Sequence, residues 1–145
     1  MADIHRSRTI AAAPHEIWHV LADFGSISSW ADNVDHSCIL AHGPDGITRR
    51  IQAGRETLVE RITEFDPPHA LAYDIEGLPE RLRQVTNRWT LRPKDGQTAV
   101  TLTSTFQIGP HPIQKLIERA VCRLMARQSD VMLAGLANRL ERTSV

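Results

Sequence analysis

PIQKLIERAVCRLMARQSDVMLAGLANRLER, residues 112–142, reads as one long amphipathic helix. Ile113, Ile117, Ala120, Val121, Leu124, Gln128 and Val131 recur on one face at helical spacing. A helix of about 30 residues spans roughly 45 Å, so its apolar face needs a large surface to cover it. The only partner of that size is a sheet built from the segments that precede it.

Those segments read as strands. Ile4–Ile10 is the first, and Pro14 then stands where a first helical residue is favoured, with Glu16 near the positive end of the dipole. Ile17, Trp18, Val20, Leu21 and Phe24 give that short helix an apolar side, and Ser26–Trp30 follows Gly25 as a second helical turn. From Val34 the punctuation is regular: Gly43-Pro44-Asp45-Gly46, Gly54, Asp66-Pro67-Pro68, Gly77-Leu78-Pro79 and Lys94-Asp95-Gly96 separate β-favouring runs. The runs are Val34–Leu40, Ile47–Ala53, Arg55–Phe65, Ala70–Glu76, Leu82–Leu91 and Thr98–Ile108. Connections this short require an antiparallel meander. The expected fold is therefore α+β: seven antiparallel strands curved around a long C-terminal helix, with two short helices between strands 1 and 2.

Length and composition bound the rest. The 145 residues fit one domain, 1–145, large enough for a core. Lys plus Arg and Asp plus Glu balance at 17 each, so no net charge draws the chain to nucleic acid or anionic membrane. The amino-terminal MADIHRSRTI has no apolar centre to act as a signal peptide, and no run approaches transmembrane length. A cytoplasmic protein with reduced Cys38 and Cys122 is expected, without integral membrane association; a homodimer is left open.

Alternation nominates an inward set. In the last strand Val100, Leu102, Ser104, Phe106 and Ile108 face one way and threonines the other. Val85, Asn87, Trp89 and Leu91 share a face, as do Tyr73 and Ile75. Leu58, Glu60 and Ile62 share another, which sets a carboxylate between two aliphatics. One bulge would invert that register and put Glu60 in water. An inward Glu60 needs a partner, and Arg49, Asn87 or a ligand hydroxyl are the candidates.

RTIAAAPHEIWHVLADFGSISSWADNV (residues 8–34), GRETLVERITEFDPPHALAYDIEG (54–77) and the closing helix together resemble the helix-grip (SRPBCC) superfamily. That group includes START domains, Bet v 1-like plant proteins, plant hormone receptors and bacterial polyketide cyclase/dehydrase-like proteins, the last being most similar. The resemblance covers essentially the whole chain and implies a cavity between sheet and helix that holds a small hydrophobic or aromatic molecule, with no cofactor. Glu60 matches an inward acidic position of ligand-binding relatives, and Trp30 a tryptophan common in bacterial members. The expected lining is Trp30, Arg49, Leu58, Glu60, Ile62, Tyr73, Asn87, Trp89, Ser104, Phe106, Cys122 and Met125, with Gly135 leaving room in the roof. The loops near Gly54, Gly77–Glu80 and Gly109–Pro112 fall at one end of the meander and would rim the entrance.

Three functions follow as expectations. The first is binding of a lipid, sterol or polyketide-like molecule. The second is a cyclase or dehydratase with Glu60 and Tyr73 as catalytic candidates. The third is a protein-interaction domain whose cavity is vestigial. No zinc-protease, phosphate-loop, dinucleotide or nucleophile-elbow motif is present. Among the seven histidines, His15 and His19 have ligand spacing but no third ligand, so no metal is expected. His36 and Cys38 lack an orienting third group. Lys115, Arg119, Arg123 and Arg127 form a basic stripe, read as a solvated outer face.

Overall fold

A computed structural model describes residues 2–44, 46–78, 82–108 and 114–142. Strand β1 (Ala2–Ile10) leads to helix α1 (Pro14–Ala22) and a 3₁₀ segment (Phe24–Ser29). Strands β2 (His36–Gly43), β3 (Gly46–Ala53), β4 (Glu56–Asp66), β5 (Ala70–Glu76), β6 (Leu82–Lys94) and β7 (Gln97–Ile108) follow, and helix α2 (Gln114–Arg142) closes the chain. All strands join one curved antiparallel sheet in the order β1-β7-β6-β5-β4-β3-β2. Consecutive strands pair because their connections are too short for anything else. β1 closes the far edge on β7, from Ala2 opposite Phe106 to Ile10 opposite Thr98.

The patterning does what period two requires. In β7, Val100, Leu102, Ser104, Phe106 and Ile108 are buried, while the intervening threonines are only partly covered. α1 begins at Pro14 with Glu16 in its first turn and buries Ile17, Trp18 and Leu21. Trp18 meets Phe65 edge-on, which is plain packing.

Helix α2 lies along β1 and β7 and touches α1, so it sits toward one side of the sheet. That asymmetry leaves β3–β6 incompletely covered. The main core gathers Ile10, Ile17, Phe24, Trp30, Leu71, Trp89, Leu102, Leu133 and Leu136, among others. A smaller cluster of Val85, Phe106 and Ile108 packs with Ile117, Val121 and Met125. The space between the two clusters is a hollow lined by residues of both.

The inward phase of α2 differs from the sequence expectation. Ala120, Leu124 and Gln128 are exposed, whereas Ser129, Met132, Leu133, Leu136, Ala137 and Leu140 are buried. Ile117, Val121 and Val131 are half-buried, and Ile113 lies outside the described residues. The buried face runs through Ser129, Met132 and Leu136, one position round the helix from Leu124, Gln128 and Val131. Gly135 does not enlarge a cavity. A Cβ there would overlap the Trp30 carbonyl oxygen, so the glycine allows the helix backbone to rest on residues 30 and 31.

Candidate functional site

Five adjacent strands aim side chains into one hollow of about 460 Å³ beneath α2. β3 contributes Ile51 and Ala53, β4 Leu58 and Glu60, β5 Ile75, β6 Leu82, Val85 and Asn87, and β7 Ser104. Val121, Met125, Ser129 and Met132 come down from the helix. Leu82 and Val85 are three apart and could not share a face of a regular strand. A register shift between Arg83 and Thr86, with Gln84 at φ 52, brings both to the cavity. The mouth is marked by lining residues that also meet solvent: Gly54, Glu56, Leu124 and Gln128. Across it the Asn33 amide donates to Gln128 Oε1 at 2.8 Å.

Glu60 faces inward. It is 3% exposed and pairs across the ladder with Arg49, itself 2% exposed. Arg49 Nε donates to Glu60 Oε1 at 2.7 Å, and the NH2 nitrogen lies 2.6 Å from the same oxygen. Arg49 NH1 donates to the Phe24 carbonyl at 2.9 Å. The guanidinium is stacked 3.7 Å from the Phe24 ring centroid and 4.6 Å from that of Tyr73. It is thus held behind Glu60 by the carboxylate, the Phe24 carbonyl and the two rings. Among the described residues no hydrogen bond reaches Glu60 Oε2, although Glu60 lines the cavity. Burial pushes the Glu60 carboxyl above its ordinary value, against the charge and hydrogen bond of Arg49.

A second polar layer runs beside it. The Ser104 hydroxyl donates to Asn87 Oδ1, and Asn87 Nδ2 points at the Tyr73 hydroxyl from 3.4 Å. Trp89 Nε1 lies 3.3 Å from the same hydroxyl. Tyr73 is fully enclosed, and burial, then the nearby Glu60 charge, pushes its phenol up.

Of the expected lining, Leu58, Glu60, Asn87, Ser104 and Met125 meet the cavity. Arg49 and Tyr73 stand behind it, supporting Glu60 and Asn87. Trp30 and Trp89 do not reach it; their rings meet edge-on at 5.9 Å in the main core. Phe106 is buried in the smaller cluster, and Ile62 packs on the main one just before a β4 bulge. Cys122 is turned to a surface groove with Lys115, Glu118, Arg119 and Arg123. Leu78 and Gly54 line the cavity as the loop argument expects, whereas Pro79, Glu80 and the Gly109–Pro112 loop lie outside the described residues.

The match with known proteins agrees with this layout. Residues 1–141 fit the family model for polyketide cyclase/dehydrase and lipid transport. The chain belongs to that family. No curated protein matches it. Among solved structures, the Zhui aromatase/cyclase from Streptomyces sp. R1128 superposes with a TM-score of 0.85 at 19% identity, covering 99% of this chain and 96% of that one. A Thermobifida fusca protein solved by NMR gives 0.81 at 27% identity, over 98% of this chain and 95% of that one. A START superfamily protein from Mycobacterium smegmatis gives 0.79 at 15%, over 97% and 98%. The helix-grip fold expected from the sequence is the fold observed.

This polyketide cyclase/dehydrase family member also has cavity residues that sequence reasoning passed over. Ile51 and Ala53 share the β3 face of Arg49 and were legible from alternation. Ser129 and Met132 were not, because their placement depends on the helix phase. Asn33 sits in irregular chain and carried no periodic signal. Among the described residues no cluster of metal-ligating side chains exists, and His15 and His19 point to solvent. No described helix is long and apolar enough to cross a membrane. Lys115, Arg119, Arg123 and Arg127 are exposed.

Proposed function

We propose that the protein binds a small, mostly apolar molecule in the hollow between β3–β7 and α2, with Glu60 and Asn87 fixing its orientation. The observation that carries this reading is an apolar cavity of about 460 Å³ lined by the buried Glu60, one of whose carboxylate oxygens no described residue engages. Sites for small molecules have this size and this mixture of apolar wall and few polar groups. An open hollow also weighs against the reading in which the cavity is vestigial and only the surface acts.

A ligand that binds only the native state raises its melting temperature. Screening lipids, sterols and aromatic polyketides by thermal shift, alongside native mass spectrometry of freshly purified protein, is the direct test. A stabilising compound should lose its effect in Val85→Trp, whose indole fills the hollow. Absence of any stabilising compound in those three classes, together with no co-purifying mass, would count decisively against the proposal.

The unengaged carboxylate oxygen also favours a second reading, a cyclase or dehydratase in which Glu60 moves a proton on a folded chain. The fold shared with the Zhui aromatase/cyclase is compatible with it. Glu60→Gln would then abolish turnover and spare binding; turnover that survives removes this reading.

A further inference from the structure

We propose that the cavity selects an uncharged molecule bearing a hydroxyl and rejects its carboxylate counterpart, an inference that rests on the binding reading above and narrows its ligand class. Among the described lining residues there are two carboxylates, Glu56 and Glu60, and no lysine, arginine or histidine. The cation paired with Glu60, Arg49, lies behind the wall, bonded to Glu60 Oε1 and to the Phe24 carbonyl and covered by the Phe24 and Tyr73 rings. An entering anion would meet the Glu60 carboxylate, with its counter-charge shielded behind the wall. Burying an anion without a partner is among the most unfavourable transfers available to a ligand.

What the site lacks is a group for Oε2 of Glu60, a side chain only 4% exposed whose second oxygen no described residue engages. A hydroxyl meets that need in either protonation state of the carboxyl, as donor to the carboxylate or acceptor from the acid. On the opposite wall Ser129 is 3% exposed, lines the same hollow and has no side-chain hydrogen bond to any described residue. A second hydroxyl or carbonyl at the far end of the ligand would satisfy it. The remaining contacts, Leu58, Val85, Met125 and Met132 among them, are apolar.

The test uses the intact wild-type protein near neutral pH and two matched pairs of probes, 1-naphthol with 1-naphthoate and 1-dodecanol with dodecanoate. Binding is read by thermal shift and by quenching of tryptophan fluorescence. The alcohol of at least one pair should bind about tenfold or more tightly than its acid. Glu60→Gln should erase that preference, because it removes the repelling charge and leaves Arg49 without its anion. Equal affinities within both pairs, or tighter binding of either acid, overturns the selection while leaving a binding cavity in place. Failure of all four probes, when the wider screen also finds nothing, overturns the binding reading itself. The wild-type comparison stands even if the variant does not fold.

Discussion

Replacing Arg49 by methionine isolates the charge pair beneath the cavity. The substitution removes a guanidinium that is 2% exposed and leaves the Glu60 carboxylate, 3% exposed, without its counter-ion. Removing one partner of a buried pair costs about 3–5 kcal/mol. The Phe24 carbonyl also loses its donor, worth about 1 kcal/mol, while the methionine restores part of the lost packing. A net loss of about 4 kcal/mol is expected near neutral pH. For a chain of this size that is a fall in melting temperature of roughly 10–15 °C. The pH dependence carries its own sign. Without Arg49 both influences that lower the Glu60 pKa vanish, and burial raises it further. The folded variant then holds a proton that the unfolded chain releases, so its stability is greatest at low pH and lost as pH rises through the folded pKa. The deficit relative to wild type must therefore shrink between about pH 8 and about pH 5. Urea unfolding followed by the buried tryptophans Trp18, Trp30 and Trp89 measures both quantities. Arg49→Met with Glu60→Leu should recover most of the loss, since an apolar pair carries no unpaired charge. A variant that melts with the wild type, or a deficit that is the same at both pH values, would refute the reasoning.

Gly135→Ala should destabilise by about 2 kcal/mol or more in urea unfolding, although alanine gains about 1 kcal/mol of helix propensity, because the new Cβ meets the Trp30 carbonyl rather than a side chain that can turn aside. Arg88→Ala, by contrast, should cost less than about 1 kcal/mol: its bridge to Glu64 at 2.8 Å is half exposed and screened. A larger loss would mean that the outer face of the sheet contributes more than its exposure allows. With a chromogenic disulfide, exposed Cys38 should react roughly tenfold faster than Cys122, which is half-buried and whose thiol is pushed up by burial and then by the Glu118 and Asp3 charges; single-cysteine variants assign the two phases, and the reverse order would contradict the burial.

The order of elements was legible before any coordinates. Turn residues such as Gly54, Gly77 and Asp95-Gly96 mark the strand ends, and each of these short connections forces its two strands to pair. Gly77 has φ 100, and a Cβ on it would press on the Thr57 carbonyl, so the punctuation has a steric cause. The strand faces of β6 and β7 were equally legible, since a period of exactly two residues leaves only two choices. Asn87 and Ser104 were found that way. Seven strands, one long helix and a carboxylate among aliphatics belong to the one-dimensional pattern because hydrophobic periodicity and turn chemistry are local.

Tertiary structure alone decided the rest. It resolved the face of Glu60 by placing Arg49 opposite it in the ladder, a choice that a single bulge could have reversed. It rotated α2 so that Ser129 and Met132, not Ala120, look inward, because the phase of a long helix depends on what it rests against at Gly135 and β1. It put Trp30, Tyr73, Trp89 and Phe106 behind the wall: alternation tells which side of a sheet a residue takes, but not whether that side is filled or hollow at that point. The hollow itself comes from where a rigid helix stops touching a curved sheet, which is a relation between distant surfaces and is written in no single segment.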